Sequence, residues 1–174
     1  MKKIIIILVI LFTVSQVNAQ TYKGALLYGF QQSVSGGKKP TAAVEEKNAA
    51  RNVAIHPRKN LWLYMVMPEK LVFTPTELYL NGKKYRVKTE RVTKTPVVFT
   101  DASIPDEPKT TVMVPETRGA VWKLTPLAEQ KPFTSAMMKK LASQNEVMVG
   151  YIVKGKKYYV SLKKLTWLEP ALMQ

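Results

Sequence analysis

Two segments of this chain carry the same unusual order of residues. Leu80-Asn81-Gly82-Lys83-Lys84-Tyr85-Arg86-Val87 and Val153-Lys154-Gly155-Lys156-Lys157-Tyr158-Tyr159-Val160 each run as strand, glycine turn, two lysines, tyrosine and β-branched residue. Asn-Gly is the strongest short hairpin signal, because both residues accept positive φ. The segments read as two hairpins whose candidate ligand-binding residues are Lys83, Lys84, Tyr85, Arg86, Lys88, Lys156, Lys157 and Tyr158. Together with Lys163 and Lys164 they would form a basic surface with aromatic contacts. The plainer reading is that glycine makes each turn, lysine keeps each tip from pairing with another sheet, and tyrosine covers the edge of the core.

Catalytic chemistry has few footholds. His56 is the only histidine and the chain has no cysteine, so the usual His- or Cys-rich zinc site cannot be built. His56 precedes Pro57, which holds it extended, and it reads as a solvated loop residue. No Gly-x-Ser-x-Gly elbow marks a partner nucleophile. Asp101, Asp106 and Glu107 are the only compact acidic group, and they lack the ligand spacing of a calcium loop. There is no phosphate-binding loop or dinucleotide fingerprint. The sequence therefore names no catalytic residue, metal or cofactor. Trp62, Trp122 and Trp167 each lie in a strand pattern, where core packing is expected; a row of exposed tryptophans would instead suggest a sugar platform.

The elements that must position these residues are short strands. Thr21–Ser35 reads as a strand with Gly24 and Gly29 inside it, a sign of bulges or close backbone approach. Residues 41 to 57 read as a loop. Asn60–Met67 is apolar on both faces, with Leu61, Leu63, Met65 and Met67 opposite Trp62, Tyr64 and Val66, the pattern of a central covered strand. Further strands are expected over Thr76–Leu80, Lys83–Val92, Thr95–Thr100, Thr110–Val114 and Ala120–Thr125, then a final hairpin, Glu146–Lys154 and Lys156–Lys164, extended by Leu165–Leu168. Lys83–Val92 alternates, which gives it a basic outer face. One helix is predicted near residues 134–144, capped by Thr134 and stapled by Phe133 against Met138. Met137 with Leu141, and Met138 with Ala142, share its buried stripe. Turn signals every eight to twelve residues point to a mainly β fold, an antiparallel Ig-like β-sandwich with one inserted helix.

Residues 1–19 read as a cleaved signal peptide. Lys2 and Lys3 precede an apolar run from Ile4 to Val14, and Val17-Asn18-Ala19 offers a cleavage site. The run is short of the roughly 18 apolar residues that span a bilayer, and without cysteine there is no lipid attachment. Residues 20–174 then form a single domain with no transmembrane segment, periplasmic or extracellular. Without Lys2 and Lys3, 25 Lys and Arg face 12 Asp and Glu, an excess of +13. Such a charge favours anionic partners. Export makes nucleic acid an unsuitable one, leaving an anionic envelope component or an envelope protein. The expected function is a non-catalytic envelope binding or interaction module that presents a basic face to an anionic glycan, lipid headgroup or protein. The alternatives are a structural subunit adding an edge strand to an assembly, and a hydrolase whose active site the sequence does not mark.

Overall fold

The computed structural model describes residues 21–35, 58–101, 109–131 and 136–172. The predicted signal peptide, the loop over residues 41 to 57 with His56, the acidic residues Asp106 and Glu107, and the Thr134 cap and Phe133 staple lie outside them. The chain is mainly β: β1 (Leu26–Ser35), β2 (Arg58–Met67), β3 (Phe73–Leu80), β4 (Lys83–Val92), β5 (Val97–Asp101), β6 (Lys109–Val114), β7 (Ala120–Glu129), a short helix α1 (Ala136–Ser143), then β8 (Val147–Val153), β9 (Lys156–Leu162) and β10 (Thr166–Leu172). Eight strands form one sheet in the order β10-β1-β2-β7-β4-β3-β8-β9, and β5 pairs with β6 as a separate hairpin.

β9 and β10 stand at opposite ends of this order, yet only Lys163–Leu165 separates them in the chain. The sheet must therefore curl until its ends meet. Gly29 in β1 shows how tightly: a Cβ there would lie 2.5 Å from Leu165 Cδ2 and 2.9 Å from Leu162 Cδ2. The stretch before β1 ties the same seam. The Thr21 hydroxyl donates to the Tyr159 carbonyl at 2.9 Å, and the Tyr22 amide donates to the Tyr151 hydroxyl at 3.0 Å.

Strand alternation sorts side chains between the two sides of the curl. Leu27, Leu63, Met65, Met67, Leu78, Leu124, Val147, Val149, Tyr151 and Val160 fill the inside. Burying each such side chain stabilises the fold by about 1.5–3 kcal/mol. The outside is covered in two places. The β5–β6 hairpin packs Met113, Val114 and Phe99 over Phe30, Tyr64, Val66, Val121 and Leu168. α1 packs Met138, Leu141 and Ala142 over Tyr79, Met148 and Tyr159. The doubly apolar reading of β2 is thus met, Trp62, Tyr64 and Val66 lying beneath the hairpin.

The mainly β expectation and the single helix hold among the described residues; an Ig-like sandwich is not confirmed, since eight of the ten strands share one curled sheet. The segment after β9 does not extend the last hairpin. It crosses to the other edge and pairs with β1 in parallel, Phe30 opposite Thr166. Three prolines lie inside strands where the register slips: Pro75 in β3, Pro126 in β7 and Pro170 in β10. A bulge leaves a backbone group unpaired, so the missing N–H of proline costs little there. β1 starts later than predicted, after a turn at Lys23-Gly24.

The two tight hairpins differ in one residue that matters. Asn81 and Gly82 have φ of 48° and 78°, and Lys154 and Gly155 have 48° and 76°. Both are left-handed at both turn positions, but lysine lacks the local side-chain hydrogen bonding that lets asparagine tolerate this region. Replacing exposed Lys154 by asparagine is expected to raise stability by about 0.5–1 kcal/mol, measured as a higher urea midpoint with an unchanged denaturant slope. An unchanged or lower midpoint would contradict the assignment of strain to this turn.

Candidate functional site

β3 and β8 pair antiparallel, Leu80 opposite Val147 and Phe73 opposite Val153. The β3–β4 and β8–β9 turns therefore leave the sheet at opposite ends. Lys83 and Lys156 sit beside separate tips, Lys83 bound to Glu129 at 3.2 Å. Tyr85 and Tyr158 turn inward against the core; Tyr158 meets Tyr22 edge-on at 5.4 Å and stacks on Tyr151 at 6.0 Å. The remaining nominated residues, Lys84, Arg86, Lys88 and Lys157, point outward.

Lys84 and Lys157 reach in from β4 and β9 to one buried carboxylate. Glu77, in β3, is 5% exposed. Its Oε2 lies 2.9 Å from Lys84 Nζ, and its Oε1 pairs with Lys157 Nζ and accepts a hydrogen bond from the Tyr159 hydroxyl at 3.2 Å. The Lys157 ammonium also lies 5.3 Å from the centre of the Tyr159 ring. Gly150 in β8 makes the room: a Cβ there would come within 2.8 Å of Glu77 Cγ and 3.0 Å of both Glu77 Oε1 and Tyr159 Cε1. Burial alone would raise the Glu77 carboxyl, but hydrogen bonds from Lys157, Lys84 and Tyr79 outweigh it and hold the group at about 2. Burial, then the adjacent Glu77 carboxylate, push the Tyr79 phenol strongly up, so it stays protonated. Glu77 is thus locked as an anion. The cluster is a charge-compensated knot joining β3, β4 and β9.

The other outward residues of β4 are differently placed. Alternation puts Lys84, Arg86, Lys88 and Glu90 on one side of the strand, and β7 sets Lys123 opposite Glu90. Lys88 pairs with Glu90 at 2.7 Å. None of these side chains packs in the clusters beneath the hairpin or α1. They form a basic strip between the two covers.

Two clefts open elsewhere. One of about 330 Å³ lies beyond the end of α1, lined by Asn81, Gly82, Asn145, Glu146 and Lys163. The other, of about 200 Å³, lies between the β5–β6 hairpin and β10. No group of three histidine, cysteine, aspartate or glutamate residues among the described residues could hold a metal ion. No helix among them is long and apolar enough to cross a membrane. Trp62 packs on Phe99 at 5.1 Å and Trp122 on Phe73 at 5.5 Å, as expected for core residues. Trp167 departs from that expectation: it is 57% exposed on β10, because the edge strand has no neighbour on its outer side.

Sequence reasoning did not single out Glu77 or Gly150. Glu77 is one acid in a strand-like stretch, and its partners lie 7 and 80 positions away. The only signal was a glycine within the otherwise large side chains of Val147–Val153. Comparison of the chain with family models, with curated proteins and with solved structures found no match.

The depressed Glu77 carboxyl has a definite consequence for pH. Its folded value of about 2 lies below the ordinary 4.5, so its stabilisation is complete above about pH 4.5 and is lost as pH falls through 2. The difference amounts to about 3 kcal/mol. Urea unfolding followed from pH 7 to pH 2 should show this loss in the wild type. Glu77→Gln should be less stable by about 2 kcal/mol at pH 7 and converge on the wild type at low pH; parallel curves would refute the knot. Gly150→Ala should cost about 1–3 kcal/mol by crowding the same carboxylate, and wild-type stability in that variant would refute the packing argument.

Proposed function

We propose that this chain is an exported, non-catalytic binding module of the cell envelope, and that its basic outer strip engages an anionic glycan, lipid headgroup or protein. The observation that carries this reading is the outward run Lys84, Arg86 and Lys88 on β4, with Lys123 beside it, between two covered regions of the sheet. Alternate residues of a strand stand about 7 Å apart, so these cations form a regular row in which Lys84 is paired with Glu77 and Lys88 with Glu90, and the row keeps a net positive charge. The +13 excess of residues 20–174 adds a long-range attraction to the same kind of partner.

The two alternatives have less support. Strand addition would have to use the outer side of β10, since Thr21 already binds the β9 carbonyl of Tyr159, and β10 carries the bulge at Pro170, which disfavours pairing with a further strand. A hydrolase needs a group that exchanges protons near neutral pH. Glu77, the one buried carboxylate among the described residues, titrates near 2 and is held by cations.

Arg86→Gln, Lys88→Gln and Lys123→Gln combined should weaken binding to heparin and to vesicles containing phosphatidylglycerol about tenfold at low salt. Elution from heparin should also move to lower salt, because screening acts on the same interaction. A charge-matched variant with Lys83→Gln, Lys156→Gln and Lys164→Gln should shift elution less. Equal shifts would assign the effect to net charge alone, and no shift in either would overturn the proposal.

A further inference from the structure

The cleft between β10 and the β5–β6 hairpin has a chemistry unlike that of the basic strip. Its walls include Phe99, Asp101 and Lys109 from the hairpin and Trp167 and Glu169 from β10. Lys109 Nζ spans the walls, 2.8 Å and 2.9 Å from the two Glu169 carboxylate oxygens. Asp101 is the cross-strand partner of Lys109. The Lys59 ammonium lies 5.4 Å from the centre of the Trp167 ring. Among the described residues, two cations and two carboxylates therefore balance around an exposed indole, whereas the strip is predominantly cationic.

The β10 wall is held from beneath. Gln32, 2% exposed, donates from Nε2 to the Glu169 carbonyl at 2.9 Å, where the β1–β10 register shifts. A buried amide is thus used to fix the backbone that carries Glu169. At about 200 Å³ the cleft is smaller than the roughly 300–1,000 Å³ of pockets for drug-sized ligands, and it suits one small ring.

We propose that this cleft is a subsite for a single neutral saccharide ring. A sugar has an apolar C–H face and a rim of hydroxyls that both donate and accept. Trp167 supplies an apolar surface with a polar tip. The Lys109 ammonium supplies donors, and the Glu169 carboxylate, with about four lone-pair sites, retains acceptor positions for neighbouring hydroxyls. The Lys109–Glu169 pair is open to solvent on both sides, so both groups are accessible to the hydroxyls of a bound ring. Charge balance favours a neutral ring over a polyanion. The site goes beyond the envelope-binding reading and does not depend on it.

The test is titration of the purified protein with the methyl glycosides of glucose, galactose, mannose and N-acetylglucosamine, followed by tryptophan fluorescence and calorimetry. At least one should give saturable binding with Kd on the order of 1 mM, the weak range expected of one small ring. Trp167→Ala should weaken it at least about tenfold, and Trp122→Phe should leave it within about twofold. Lys109→Ala with Glu169→Ala provides a second variant with the indole intact and should also lose binding. Heparin elution of Trp167→Ala should match the wild type, which separates this site from the basic strip. Absence of saturable binding to all four glycosides, or wild-type binding by Trp167→Ala, would overturn the assignment.

Discussion

Three residues, Lys163–Leu165, connect the two outermost strands of an eight-stranded sheet. That short link is incompatible with a flat or gently twisted sheet of this width, since neighbouring strands stand about 4.8 Å apart. The sheet has to roll up, and the sequence accommodates the roll where it is tightest. Gly29 presents only a hydrogen to Leu162 and Leu165, and Thr21 and Tyr22 tie the stretch before β1 to β9 and β8. Inside the roll, alternate residues from β1, β2, β3, β7, β8 and β9 meet in one apolar core.

Rolling the sheet leaves a long outer surface. Where that surface is apolar, as at Tyr64 and Val66 or Tyr79 and Met148, the chain covers it with the β5–β6 hairpin or α1. Where it is charged, at Lys84, Arg86 and Lys88, it is left outside both covers. The same alternation that sends Tyr85 and Val87 inward sends these cations outward. Core formation and the basic strip are thus two sides of one strand, and a register slip in β4 would exchange them.

Much of this is local and legible in the sequence. The unbroken apolar run of β2 announces a strand covered on both faces, and Asn81-Gly82 announces its turn. The destination of the chain after β9 is not local. Leu165–Leu168 looks like a continuation of the last hairpin, because what directs the chain to β1 is the curl, a property of all eight strands together. Strand lengths are non-local for a related reason: Pro75, Pro126 and Pro170 are tolerated at bulges, which depend on how two distant segments align. Of the residues singled out from the two lysine-rich hairpins, the tyrosines fall inside and the tips fall apart, since antiparallel pairing of β3 with β8 sends their turns in opposite directions. Glu77 stayed hidden because a buried acid is recognisable only by its partners, and they come from β4 and β9.

The Glu77 knot bears on specificity more than on raw stability. A buried ion pair gives back in desolvation much of what it gains in attraction, and well-packed apolar residues often do as well. Here the lysines are not costly, for both side chains stay partly exposed to water. What the arrangement does achieve is discrimination between registers. With β3 in its observed alignment, Glu77 faces outward beside Gly150 and meets two cations. Displaced by one residue, the same carboxylate would enter the apolar interior among Leu63, Met65 and Val149 with no partner, at a cost of several kcal/mol. Leu78 would simultaneously leave the core. Strands as short and as uniformly apolar as β8, Val147–Val153, carry little register information of their own. A single acid opposite a single glycine supplies it, and the alignment of β3, β4, β8 and β9 is set from that point.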